Sequence, residues 1–145
     1  MNKNSGKVLA LFISKKEIPT RISRTTLKVD KEGIVGDKFY ARDLERSILL
    51  TSVSSYLLAL KHNVKMPYGA LGENILIDYN PYSLAVGSHI QIGEVILEVT
   101  QNCTICNHLS LIDKILPSLL KEDRGIFVKV VKVGCIEKGD KLYLL

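Results

Sequence analysis

The sequence predicts a mainly β protein: a small, mostly antiparallel barrel with short helical insertions. Three observations carry this expectation. Short stretches of β-branched and apolar residues recur between turn formers. Only two segments show the spacing of an amphipathic helix. Strands and helices do not alternate in the order that builds a parallel, doubly wound sheet.

Taken in order, strands are expected over residues 7–13, 46–51, 74–78, 89–92, 94–100, 126–133 and 141–144. Gly33-Ile-Val-Gly-Asp37, Tyr79-Asn-Pro81, Val86-Gly-Ser88, Ile92-Gly-Glu94 and Lys138-Gly-Asp140 supply the turns between them. Glycine tolerates positive φ there, and Asp or Asn bonds its own backbone. A helix is expected over 52–62, where Val53, Tyr56, Leu57 and Leu60 share a face behind Ser52 as N-cap. A second is expected over 110–121, with Leu111, Ile112, Ile115, Leu116 and Leu119 on one face. Pro117 kinks or splits that helix unless a new one begins there, since proline suits only a first turn.

The 145 residues suit one domain, 1–145, with a core over about 7–144. Hydrophobic residues make up 46% and charged residues 24%, the balance of a folded globular chain and not a disordered one. The longest apolar run near the start, 8–13, is too short for a secretory leader, and no run approaches the ~18 residues of a membrane span. A cytoplasmic protein without a membrane partner is expected. Three cysteines in such a chain argue for core residues, metal ligands or reactive thiols, not a disulfide framework. The net charge of +5 is scattered, and no Trp and few other aromatics stand near Lys15 and Lys16. That excludes nucleic acid as the expected partner and leaves an anionic small molecule. Monomer and homodimer both suit the size.

The chemistry centres on Cys103 and Cys106 in Gln101-Asn-Cys-Thr-Ile-Cys-Asn-His108, directly after an apolar strand. Thiols where a chain leaves a sheet can face solvent and a ligand. A thiolate is both nucleophile and soft metal ligand. Cys106 is the leading candidate, just ahead of a helix start whose dipole favours negative charge; the alternative is a small buried core residue. Cys103 is a resolving thiol, a second ligand or a bystander. A thioredoxin-like pair needs a βαβ setting that this chain lacks. Zinc held by Cys103, Cys106, His108 and Cys135 is a further reading, without a second C-x-x-C to support it.

Gly69-Ala-Leu-Gly-Glu-Asn74 joins two glycines to a carboxylate and an amide at the mouth of a strand. Gly72, Glu73 and Asn74 either meet a polar ligand or build a loop through their own hydrogen bonds. Arg46, and Arg124 with Gly125, precede apolar strands, where a guanidinium holds phosphate or carboxylate or simply covers a sheet edge. Asp37 is expected in a turn, His62 and His89 in structural roles, and Cys135 packed within a hairpin.

Read in order, Gly33-x-x-Gly-Asp37, Arg46-Ser-Ile-Leu-Leu50, Gly69-Ala-Leu-Gly-Glu-Asn-Ile75, Cys103-x-x-Cys106, Arg124-Gly125 and Lys138-Gly-Asp140 resemble the MOSC domain. That family is named for the C-terminal domain of molybdenum cofactor sulfurase. The resemblance implies a β-barrel like that of pyruvate kinase. It also implies a cysteine that carries persulfide sulfur or ligates molybdenum in the molybdenum cofactor (molybdopterin). Cys106 matches that cysteine; Cys103 matches only members with a pair. Arg46, Arg124, Gly125 and the Gly72, Glu73, Asn74 loop would then hold the pterin phosphate. Phe39 stands where many relatives carry His. Two functions follow: a molybdenum-dependent oxidoreductase acting on N-hydroxylated compounds, or a sulfur carrier. The implied partners are an electron-transfer or cofactor-maturation protein and a cysteine desulfurase.

Overall fold

A computed structural model describes residues 4–104 and 109–145. Among them the chain forms β1 (Asn4–Lys15), β2 (Ile18–Arg24), β3 (Thr26–Asp30), β4 (Gly33–Ile34), a 3-10 turn (Leu44–Arg46), β5 (Ile48–Ser52) and α1 (Val53–Lys61). There follow β6 (Ile75–Ile77), β7 (His89–Ile92), β8 (Val95–Asn102), α2 (Leu109–Ile112), α3 (Leu116–Leu119), β9 (Ile126–Lys132), β10 (Gly134–Glu137) and β11 (Lys141–Leu144). Hydrogen bonding runs β11-β7-β8-β9-β5-β6-β1 and closes from β1 back to β11. The result is a barrel, and closure leaves its strands no free edge. β2 hangs from β1 outside the ring, and β10, β3 and β4 form a small second sheet.

All pairings in the ring are antiparallel except β5 with β6, which the crossover through α1 makes parallel. The pleat sorts the side chains. Val95, Leu97 and Val99 of β8 and Ile126, Val128 and Val130 of β9 point into the barrel, while the residues between them are half-exposed. β5 is buried on both faces. β6 is shared: Ile75 and Ile77 enter the barrel core, whereas Leu76 joins a second core with Tyr56, Ala59, Leu71, Leu109, Leu116 and Leu120.

Ser52 caps α1 as expected, its hydroxyl accepting from Ser54 N–H. The segment 110–121 is split into α2 and α3, with Pro117 in the first turn of α3. Arg46 belongs to the 3-10 turn and not to β5. β2 was not expected; it is largely exposed and shows no alternation to read. Cys135 corrects an expectation: it is exposed on β10, paired opposite Lys28 of β3, and not packed in a hairpin.

Candidate functional site

The loop before β6 is built around Asn74. Its main chain already bonds both neighbours, Asn74 N–H to Leu49 C=O at 2.9 Å and Phe12 N–H to Asn74 C=O at 2.8 Å. The side chain repeats the bridge one layer on: Oδ1 accepts from Leu49 N–H at 3.0 Å, and Nδ2 donates to Phe12 C=O at 3.2 Å. The carboxamide supplies the acceptor and the donor that this bridge uses. Nδ2 also lies 3.4 Å from Asp37 Oδ1, which accepts from Ser14 N–H at 2.7 Å, so the Gly36-Asp37 turn is tied to the same brace.

Glu73 points the other way, into the second core, and is fully buried. Its Oε2 accepts from Tyr56 O–H at 2.5 Å and Gly69 N–H at 3.1 Å; the Tyr56 oxygen accepts from Leu71 N–H at 3.3 Å. Burial pushes the Glu73 carboxyl above its ordinary value, against the pull of these donors, and pushes the Tyr56 hydroxyl up as well.

Held in this way, the loop turns two carbonyls toward two guanidinium groups. Arg124, on the approach to β9, donates from Nη2 to Leu71 C=O at 3.0 Å and from Nη1 to Cys103 Sγ. Arg21 of β2 donates from Nη2 to Gly72 C=O. Gly72 has φ +84°, and a Cβ there would lie 3.3 Å from Arg21 Nη2 and 3.9 Å from Arg124 Nη2. Both arginines therefore close on one glycine. Burial pulls Arg21 below its ordinary value; Asp37 and Glu73 oppose that, and Arg124 adds to it. Among the described residues, Arg21 Nη1, Arg124 Nε and Glu73 Oε1 are buried without a hydrogen-bond partner. Each costs on the order of 1–3 kcal/mol, more where the group is charged.

Arg21, Gly72 and Arg124 lie on the floor of a cavity of about 990 Å³. Its rim carries Lys38, Arg42 and Arg46, with Asp43 as the acidic residue of the lining. Asp43 Oδ1 is occupied by Glu45 N–H at 3.0 Å, capping the 3-10 turn. Two cations lie over rings: Lys38 Nζ is 5.0 Å from the Phe39 centroid, and the Arg46 guanidinium is 5.0 Å from that of Phe127. The chamber is cationic, part aromatic, and has a thiol in its wall. Such a wall selects an anionic ligand with a planar part.

The MOSC domain family profile matches residues 34–143, well over half of the chain. The chain belongs to the MOSC domain family. The solved structures agree on the fold. YuaD protein from Bacillus subtilis superposes with a TM-score of 0.84 at 20% identity, covering 99% of this chain and 98% of that one. YiiM from Geobacillus stearothermophilus gives 0.69 at 16% identity over 100% and 75%, and YiiM from Escherichia coli gives 0.70 at 18% over 96% and 69%. No curated protein matches the chain.

Within this MOSC domain, Cys103, Arg46, Gly72, Asn74 and Arg124 share the cavity wall. Glu73 sits behind the wall. Gly125 serves packing: a Cβ would come within 2.8 Å of Thr51 Oγ1 and 3.1 Å of Leu50 O, and its C=O accepts from Cys103 N–H at 3.0 Å. Cys106, with Asn107 and His108, lies outside the described residues. Among the described residues no group of three or more His, Cys, Asp and Glu could hold a metal ion. His89 bonds Glu98 at 3.0 Å, and Phe39 stands at the rim. Arg21, Lys38 and Arg42 were not anticipated: Arg21 lies in a strand without periodicity, and the other two follow a turn that drew attention only to Asp37 and Phe39. No helix among the described residues is long and apolar enough to cross a membrane.

Proposed function

We propose that this MOSC protein binds the molybdenum cofactor, or handles its sulfur, in the cationic cavity, with Cys106 as the reactive cysteine. The observation that carries the reading is a chamber of about 990 Å³ whose wall joins the Cys103 thiol to Arg46 and Arg124 in a chain of this family. That volume suits a pterin-sized ligand, since small-molecule pockets run from about 300 to 1,000 Å³. A thiolate suits molybdenum or sulfane sulfur, and guanidinium forks suit a phosphate. The residues present therefore fit the group.

In this reading Arg46 and Arg124 hold the ligand, Gly72 and Asn74 shape the wall beside it, and Arg46 on Phe127 offers a flat cationic surface to its rings. Cys106 is the thiolate ligand or sulfur acceptor, and Cys103 supports it from the wall. When bound, the cofactor would supply two-electron oxygen-transfer chemistry, which suits reduction of N-hydroxylated compounds. An electron-transfer partner is then needed. The carrier version needs a cysteine desulfurase as donor and a cofactor-maturation protein as recipient. It is favoured by the Arg124 Nη1 donor on Cys103 Sγ, which sets a cation beside a sulfur of the wall.

Metal and intact-mass analysis of protein purified without oxygen from a host that makes the cofactor tests both versions. Molybdenum and pterin lost in Cys106→Ser are the expected result, and turnover of an N-hydroxylated compound would then mark the enzyme. Metal-free protein with one extra sulfur on Cys106 marks the carrier. Protein with neither overturns the proposal.

A further inference from the structure

The barrel closes on itself, but β2 stands outside the ring and, among the described residues, pairs with β1 alone. Its other edge is open, a row of main-chain donors and acceptors along residues 18–24. Proline and cations ordinarily guard such an edge, and Pro19 and Arg24 stand toward its two ends. Between them, Arg21 is drawn inward to Gly72 C=O and leaves the middle of the edge unguarded.

This edge borders the mouth of the cavity, since Ile18, Pro19 and Thr20 belong to its lining. Three large side chains of that lining are nonetheless exposed: Ile18 at 46%, Phe39 at 41% and Tyr68 at 48%. They come from β2, from the turn after β4 and from the loop between α1 and β6, so the apolar surface is assembled from three parts of the chain. Around it stand Lys38, Arg42 and Arg46, with Lys15 and Lys16 exposed where β1 turns into β2. The acids beside them are Glu17 in the hairpin turn and Asp43, whose Oδ1 is taken by Glu45 N–H. An apolar centre with a cationic border is the make-up of an interface for an acidic protein partner.

We propose that the open edge of β2 and the apolar mouth beside it form a docking groove for an extended, acidic segment of a partner protein, which adds to β2 as a further strand. A small ligand can fill the chamber, but a row of main-chain groups is matched along its length only by another main chain. The cationic border selects acidic side chains on that segment, and Ile18, Phe39 and Tyr68 take its apolar ones. A second copy of β2 is the poorer occupant, because self-pairing brings Arg21 and Arg24 of one strand among the same cations of the other. Cys103, in the cavity wall, is 3% exposed, so a partner reaches that wall with a thin segment and not with a flat surface. Such a segment is the kind of partner that the proposed function needs; its docking rests on that reading only for what it brings.

Fluorescence anisotropy of a labelled peptide of alternating Val and Glu, long enough to span β2, tests the groove on the intact protein. Saturable binding that weakens as salt rises is expected, with no binding of the counterpart that carries Lys for Glu. N-methylation of alternate peptide amides separates strand pairing from charge alone and needs no variant. One of the two methylated series should lose binding and the other keep it, since alternate N–H groups of a strand face opposite edges. Ile18→Thr and Phe39→Ser should weaken binding by about fivefold or more, while Leu57→Ser, exposed on α1 and outside the lining, should not. No saturable binding, equal binding of the Lys peptide, or indifference to both methylated series overturns the proposal. So does a dimer that Ile18→Thr breaks and that excludes the peptide, which assigns the edge to a second copy. Protein that carries molybdenum or persulfide but ignores the peptide sinks this inference alone. Peptide binding by protein that takes up neither sinks only the earlier reading.

Discussion

At the floor of the cavity, Arg124 is 5% exposed and spends its donors on a thiol and a carbonyl; at the rim, Arg46 is exposed and rests on the face of Phe127. Both are cations lining one chamber, yet they stand on different supports. The floor depends on a chain of buried bonds through Asn74, Asp37, Glu73 and Tyr56, so changes there reach stability and binding together. The rim is solvated and screened by salt. A motif on the floor therefore reads as architecture first, and a charge on the rim as recognition first.

The sharpest way to break this contrast is Asn74→Ala. It removes the acceptor for Leu49 N–H, the donor to Phe12 C=O and a partner of Asp37, all buried. A loss of about 3 kcal/mol is expected from stranding such groups, read as a fall in denaturation midpoint. A loss below about 0.5 kcal/mol, the range of ordinary surface changes, would mean that the loop is not a brace.

Tyr56→Phe comes next. It strands Leu71 N–H and takes a donor from Glu73, at a cost of about 2 kcal/mol. It also sharpens the pH behaviour. The Glu73 carboxyl is raised from an ordinary value of 4.5, so the stability it contributes is fully present below that pH. That stability is lost as pH rises through the folded value. The Tyr56 donor favours the ionised form, so its removal lifts Glu73 further and extends the decline to higher pH. Denaturation curves across pH should show that extension in Tyr56→Phe and a flattened profile in Glu73→Gln. Parallel profiles in all three proteins would remove Glu73 as their source.

The two regions were also unequally legible in the sequence. The barrel was readable because β8 and β9 are short β-branched and apolar runs set off by turn formers such as Ile92-Gly-Glu94. β2 was not, since a largely exposed edge strand carries no period, and β10 was not, since four residues with only Ile136 buried are too few to show one. Gly72, Asn74 and Arg124 could be singled out as unusual residues in the right order. Whether Glu73 faces the ligand or the core depends on which side of the loop Tyr56 occupies, a tertiary contact that no local pattern carries. Arg21 was invisible for the same reason: its partner, Gly72 C=O, is 51 residues away in the chain.

Gly72→Ala tests the junction between floor and rim with a smaller effect. With φ at +84° and Arg21 Nη2 3.3 Å from the new Cβ, strain of about 1–2 kcal/mol is expected. Arg21 must withdraw, so cofactor affinity should fall more than the melting point does. Equal loss in both would make Gly72 a purely structural glycine.

Arg46→Ala should have the least effect on the fold and the clearest effect on recognition. The guanidinium contacts an aromatic face and bulk water, so stability should stay within about 0.5 kcal/mol of the parent. What it supplies is field at the mouth, shared with Lys38 and Arg42. A focusing charge raises the association rate of an anionic ligand and does so less as salt rises. Stopped-flow association at two ionic strengths should therefore show a slower rate in Arg46→Ala at low salt, converging with the parent at high salt. The dissociation rate should change little. A change confined to dissociation would move Arg46 from steering to direct contact and erase the distinction between rim and floor at that position.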